Sequence, residues 1–134
     1  MTVFVDTSAV VALLSVRDTN HGNAVAVWHA LVESGAGLLT TDLVVAETVT
    51  VVRARAGFEV SVQAGERLLR SPFEVAWVDR PLLDDAWALY RRYHDHVLSL
   101  CDCVSFAVMK RRRVEVAFTY DADFDAVGFR RAQA

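Results

Sequence analysis

Apolar positions along the chain follow two rhythms. Short, nearly unbroken runs, "TVFV" at residues 2 to 5, "GLLTT" at 37 to 41, "FEVAWVD" from Phe73 and "VEVAFTY" from Val114, read as strands covered on both faces. Between them lie longer stretches whose apolar residues recur every three or four positions. These predict helices over Ser8 to about Ser15, over 20 to 34, over 42 to 57, from Val60 to Arg70, after Pro81, and from Ser99 to Arg113. Gly35 and Gly37 stop the second helix, Asp42 as N-cap and Gly57 bracket the third, and Pro72 breaks the fourth. The β-branched residues between Val44 and Val52 make strand a competitor there, and length and caps decide for helix. The helix after Pro81 carries an apolar stripe of Leu83, Ala86, Trp87 and Tyr90, aromatics that at this spacing read as core or dimer interface. From Phe124 a short finishing element is expected.

Strands that alternate with helices and are themselves near-continuously apolar predict an α/β fold: a parallel sheet of four to five strands covered by helices on both faces. At 134 residues, with no repeat, low-complexity tract or linker, the chain fits one domain over 1–134. Composition adds exclusions. Cys101 and Cys103 are separated by one residue, which suits neither a disulfide framework nor a four-ligand zinc site, and reads as reduced, cytoplasmic usage. No apolar run is long enough to span a membrane, and Asp6 inside the first run, with no basic segment before it, argues against an export signal. The net charge of −3 excludes nucleic-acid binding by bulk positive charge, while all but one of the 14 cationic residues are arginines, the better fork for phosphate.

The informative residues are carboxylates at odd places. Asp6 interrupts "VFVDTSAVVALL"; alone it is equally a helix cap. Glu47 sits on a helical face otherwise made by Leu43, Val44, Thr50 and Val51, where an uncompensated charge is costly unless the side chain reaches solvent. Asp102 stands three residues after Ser99, the spacing of a capping box. Asp121 and Asp123 in "TYDADF" have the form of turn residues before a terminal element. Each has an ordinary explanation singly. In a parallel sheet, however, the strand ends at Asp6 and Asp121 share one edge, and carboxylates gathered there repel one another unless a cation is present. Hard oxygen donors without thiolate or imidazole partners point to Mg2+ or Mn2+ and to phosphodiester hydrolysis.

With these residues in view the chain resembles the PIN-domain ribonucleases, and among them the VapC-type toxins of type II toxin-antitoxin pairs. The resemblance is carried by "VDTSA", "TTDLVVAET", "LSLCDCVSFAVM" and "FTYDADFDAVGF", in the family's order and across essentially the whole chain. It implies a three-layer α/β/α sandwich, Mg2+-dependent cleavage of RNA to 5′-phosphate and 3′-hydroxyl ends, homodimers, and a cognate antitoxin lying across the acidic groove. Asp6, Glu47, Asp102 and Asp121 match the catalytic acids. Asp6 and Asp102 would be the main metal ligands, Asp121 would complete the site, Asp123 would be an auxiliary acid, and Glu47 would bind a second ion or orient water. Ser8 and Thr119 match hydroxyls that orient carboxylates or water, and helix capping passes from Asp6 to Thr7 or Ser8. Cys101 departs from the Thr or Ser common at its position, which weakens a donor beside Asp102. Arg53, Arg55, Arg111 and Arg112 are candidate phosphate contacts, although arginines ending a helix also suit its dipole. His21, His29, His94 and His96 form no catalytic or metal pattern and read as exposed or capping. A receiver-type signalling domain fails for want of an acidic pair after the first strand, and a haloacid-dehalogenase phosphatase because Ser8 stands where its second Asp belongs. A PIN-like module that only binds a partner is the remaining rival.

Overall fold

The computed structural model describes residues 1–134. In chain order the elements are β1 (Thr2–Val5), α1 (Thr7–Leu14), α2 (His21–Ser34), β2 (Gly37–Thr41), α3 (Asp42–Ala56), α4 (Phe58–Leu68), β3 (Phe73–Ala76), α5 (Arg80–Arg92), α6 (Leu100–Arg112), β4 (Val116–Phe118), α7 (Asp123–Val127) and β5 (Arg130–Arg131). All strand pairings are parallel, in the order β3-β2-β1-β4-β5. The expected α/β/α sandwich is present with five strands, the finishing element having supplied both α7 and β5.

Strand periodicity sorts the core. Val3, Val5, Leu38 and Phe118 pack with α1 and α2, while Phe4, Leu39 and Ala117 face the opposite layer of α5, α6 and α7. In that second layer Phe124 is fully buried, with its ring 4.9 Å from Phe106 and 6.4 Å from Phe4. It therefore fixes the turn that carries Asp121 and Asp123. On the first layer α3 and α4 pack closely because Gly65 lacks a side chain: a Cβ there would lie 2.9 Å from a methyl of Val49. Gly35, in the left-handed region at φ 67°, closes α2.

Several expected boundaries move. The region 44 to 52 is helix, as length and caps indicated, but the N-cap of α3 is Thr41, whose hydroxyl accepts from Val44 N–H at 3.1 Å. Asp42 instead accepts from Val78 N–H at 3.1 Å, which ties the exit of β3 to the start of α3. The third and fourth strands are shorter than their apolar runs: β3 ends at Ala76, and β4 covers only Val116–Phe118. On α5 the buried stripe is Leu82, Ala86 and Leu89; of the expected stripe Ala86 is buried and Leu83 packs half-buried against the core. Trp87 and Tyr90 are 46% and 42% exposed, so neither belongs to the core. His21 is structural, its Nδ1 lying 2.8 Å from the Ala12 carbonyl oxygen.

Candidate metal and catalytic centre

The chain runs from β1 to β2 and β3 on one side and later returns to β4 on the other, so sheet order reverses between β1 and β4. Ligand sites in open parallel sheets form outside the carboxyl ends of strands at such a reversal. Asp6 leaves β1 there, and Thr119 to Asp121 leave β4 beside it. The register Val5↔Phe118, extended by the Asp6 N–H to Phe118 carbonyl bond of 3.1 Å, sets Thr119 next to Asp6.

Asp6 is buried at the floor of an open cleft of about 450 Å³. Its Oδ2 accepts from the Ser8 hydroxyl at 2.7 Å and the Thr119 hydroxyl at 2.9 Å. Those hydroxyl oxygens in turn accept from Tyr120 N–H at 2.9 Å and Asp121 N–H at 3.0 Å, so backbone from the β4 exit holds both donors in place. Oδ1 takes no hydrogen bond from the protein, and no buried side-chain oxygen lacks a partner, so Oδ1 opens on the cleft. Asp6 also caps α1, since Oδ2 faces the Ser8 N–H at 3.4 Å. The expected transfer of capping to Thr7 or Ser8 therefore does not occur: α1 starts at Thr7, and Asp6, still extended, serves strand end and cap together. Burial pushes its carboxyl up, against the opposing effect of the hydroxyls.

Asp102 arrives from the other layer through the predicted capping box. Its amide N–H donates to Ser99 Oγ at 3.0 Å, and its Oδ2 accepts from Ser99 N–H at 3.2 Å. Burial, followed by the charges of Asp121 and Asp6, lifts its pKa to about 6. Asp121 and Asp123 enter from the turn before α7, where Asp121 Oδ1 accepts from Asp123 N–H at 2.9 Å. Carboxylate oxygens of Asp102, Asp121 and Asp123 lie within 4.8 Å of one another. This group includes Asp123, expected as an auxiliary acid among the metal residues, and does not include Asp6, expected as a main ligand. Burial and the neighbouring Asp121 raise Asp123, while His96 acts in the opposite sense.

Glu47 projects from α3 into the same cleft. Beside it, Cys101 is pushed up to about 12, first by burial and then by the charges of Glu47, Asp102 and Asp6. The thiol therefore borders the acids as a neutral S–H group. None of Asp6, Glu47, Asp102, Asp121 and Asp123 has an ion pair within the protein. Carboxylates alone, with one free oxygen aimed from the floor, form a donor set that fits a hard divalent cation.

The arginines divide. Arg55 lines the cleft and pairs with Asp18 at 3.5 Å. Arg53 lies over the Phe58 ring, 5.1 Å from its centroid. Arg111 and Arg112 do not reach the cleft: they end α6, whose first turn carries Asp102, and pair with Asp85 and Glu74. Sequence spacing put them on the helix of Asp102, but thirteen residues separate the two ends of that helix by roughly 20 Å. Asp18, Asn20 and Tyr120 also line the cleft and were not anticipated. The clue for the first two was "DTN" at the helix start, where Asn20 was read only as the first residue of the helix over 20 to 34.

A family profile for the PIN domain matches residues 3–130. The 23S rRNA-specific endonuclease VapC20 of Mycobacterium tuberculosis is 33% identical over 127 residues, 95% of each chain. A crystal structure of that organism's VapC20, described as a sarcin-ricin loop cleaving toxin, superposes with a TM-score of 0.91 at 31% identity, covering 99% of this chain and 100% of that one. A toxin-antitoxin complex from Klebsiella pneumoniae shares the fold, with a TM-score of 0.64 at 16% identity over 93% and 91% of the two chains.

Proposed function

The chain belongs to the PIN-domain family and to its VapC-type ribonucleases, and from that membership we propose that it is a Mg2+-dependent endoribonuclease, the toxin of a type II pair neutralised by a cognate VapB-type antitoxin. One observation carries the reading: Asp6, Glu47, Asp102 and Asp121 line a single cleft at the sheet's reversal point, Asp123 stands within 4.8 Å of Asp102 and Asp121, and none of these five forms an ion pair within the protein. Asp102, Asp121 and Asp123, with Asp6 Oδ1, would hold Mg2+ or Mn2+. An ion held by these residues would supply polarisation of a phosphoryl oxygen and a lowered pKa for a bound water. Ser8 and Thr119 favour the ionised form of Asp6 against the effect of burial and orient it by donating to Oδ2, which leaves Oδ1 for the ion. Glu47, on the facing helix, is the group to orient the attacking water and take its proton. The water oxygen bonds to phosphorus as the bond to the 3′ oxygen breaks, which gives 5′-phosphate and 3′-hydroxyl ends. Arg55 at the rim would grip the phosphate backbone without reading sequence.

Identity of one third over almost the whole chain to an enzyme named for 23S rRNA supports the same substrate here. We place the activity in the cytoplasm, where ribosomes are; no helix is long and apolar enough to cross a membrane. The active form would be a homodimer of 1–134 domains. The test is incubation of purified protein with ribosomes and mapping of new 23S rRNA ends. A discrete 5′-phosphate end that disappears with EDTA is expected; undiminished cleavage in EDTA, or robust cleavage by Asp6→Ala, would overturn the reading.

A further inference from the structure

Beside the acidic cleft lies a second concavity of about 560 Å³ with the opposite character. Its wall is the outer face of α5, where Trp87 and Tyr90 stack on each other with centroids 5.4 Å apart and planes 9° from parallel. Both are more than two-fifths exposed, although neither lies on the side of α5 that packs on the core. Arg91, His94 and His96 add N–H donors to the lining, Val97 and Leu98 add apolar side chains, and no carboxylate lines it; Asp95 lies 3.9 Å from the His96 ring, and the His96 charge also acts on Asp123. The two cavities meet along the chain, because Leu98 lines the aromatic one and the next residue, Ser99, lines the acidic one and caps the helix bearing Asp102.

We propose that Trp87 and Tyr90 form a base-stacking platform, with Arg91, His94 and His96 as phosphate and base-edge contacts, that positions single-stranded or looped RNA beside the scissile bond. The inference rests on the reading of the cleft as an RNA-cleaving site. Two flat side chains held parallel and open to solvent offer π-faces on which unpaired bases stack, and the surrounding N–H donors match the charge of the strand. A second copy of this chain would gain the apolar area, but would bring no reason for a lining that has N–H donors and lacks acids. Trp87 and Tyr90 are thus positioning residues: the acids supply the chemistry, and the platform determines which nucleotide reaches them.

Binding is measured by fluorescence anisotropy with a labelled RNA hairpin whose loop is about 12 nucleotides, in an Asp102→Asn background so that affinity is read without cleavage. Replacing Trp87 and Tyr90 together by Ala is expected to weaken binding about 10- to 100-fold, and replacing both by Phe to retain it. Arg91→Gln, which leaves the aromatic pair untouched, is expected to weaken binding several-fold and to flatten its salt dependence. Sedimentation of each variant should match the parent. Unchanged affinity in the Ala variant overturns the inference, as does a loss of affinity that accompanies dissociation of a dimer, since the face would then join two copies. If the wild-type chain cleaves no RNA yet binds it through the aromatic pair, the platform stands and the enzymatic reading falls.

Discussion

Glu74, Asp84, Asp85 and Asp125 on the outer faces each have an arginine partner: Arg112, Arg80, Arg111 and Arg131. Asp6, Glu47, Asp102, Asp121 and Asp123 have none. Exposed pairs cost little to form and little to lose, since water screens both members. The cleft differs: its acids are partly or fully withdrawn from water and lie near one another, and Asp6, Asp102 and Asp123 are shifted upward by burial first and then by neighbouring carboxylates. A chain with 13 arginines could have neutralised this cluster and did so only at the rim, through Arg55 and Asp18. The difference teaches that acidic content is not the signal of the site. The signal is acidic content held apart from its natural counter-charges by the sheet.

The comparison breaks most decisively if the cleft acids behave like the outer ones. Asp102→Ala and Asp6→Ala should each lower RNA cleavage on the order of 10²- to 10³-fold while the circular dichroism spectrum is preserved. A smaller step tests the hydroxyls: Ser8→Ala or Thr119→Val should lower cleavage or metal affinity by about 10- to 100-fold, because Asp6 loses a donor that orients it.

The pH dependence of stability sharpens the contrast further. A carboxyl whose pKa is higher in the folded than in the unfolded state favours folding at low pH and loses that contribution as pH rises. For Asp102 the window runs from 3.8 to about 6. In EDTA, Asp102→Asn should therefore gain thermal stability over the parent as pH passes from 4 to 7, by about 2 to 5 °C after allowance for partial solvent screening. Saturating Mg2+ should raise the parent's melting temperature at pH 7.5 and much less the variant's. The smallest effect belongs outside: Arg112→Gln should shift unfolding free energy by less than about 0.5 kcal/mol and leave cleavage intact.

The fold was legible because strand and helix periods differ and the apolar runs obey them. The elements misjudged are those whose positions depend on a partner. Asp42 looks like a cap until β3 arrives beside it, and of the two readings of Trp87 and Tyr90, core or dimer interface, the first fails because Leu82, Ala86 and Leu89 take the inner face of α5. Asp6, Asp102 and Asp121 were legible as strand-end and helix-start acids that a parallel sheet must gather. Asp123 was legible as an auxiliary metal acid, and its closeness to Asp102 depends on the Phe124 anchor that fixes the turn. Arg111 and Arg112 misled for the opposite reason: a shared helix guarantees a shared axis, and their end of it reaches Glu74 and Asp85 instead.

The central claim is that the unpaired carboxylates are a cation site. Calorimetric titration of Mn2+ into the protein at pH 6, where Asp102 is about half protonated by its pKa of about 6, tests it directly. Saturable binding with a heat that varies with buffer ionisation enthalpy, as protons are displaced, is expected for the parent and should be absent from Asp102→Asn and Asp121→Asn. Equal binding by parent and variants, or binding that releases no protons, would contradict it.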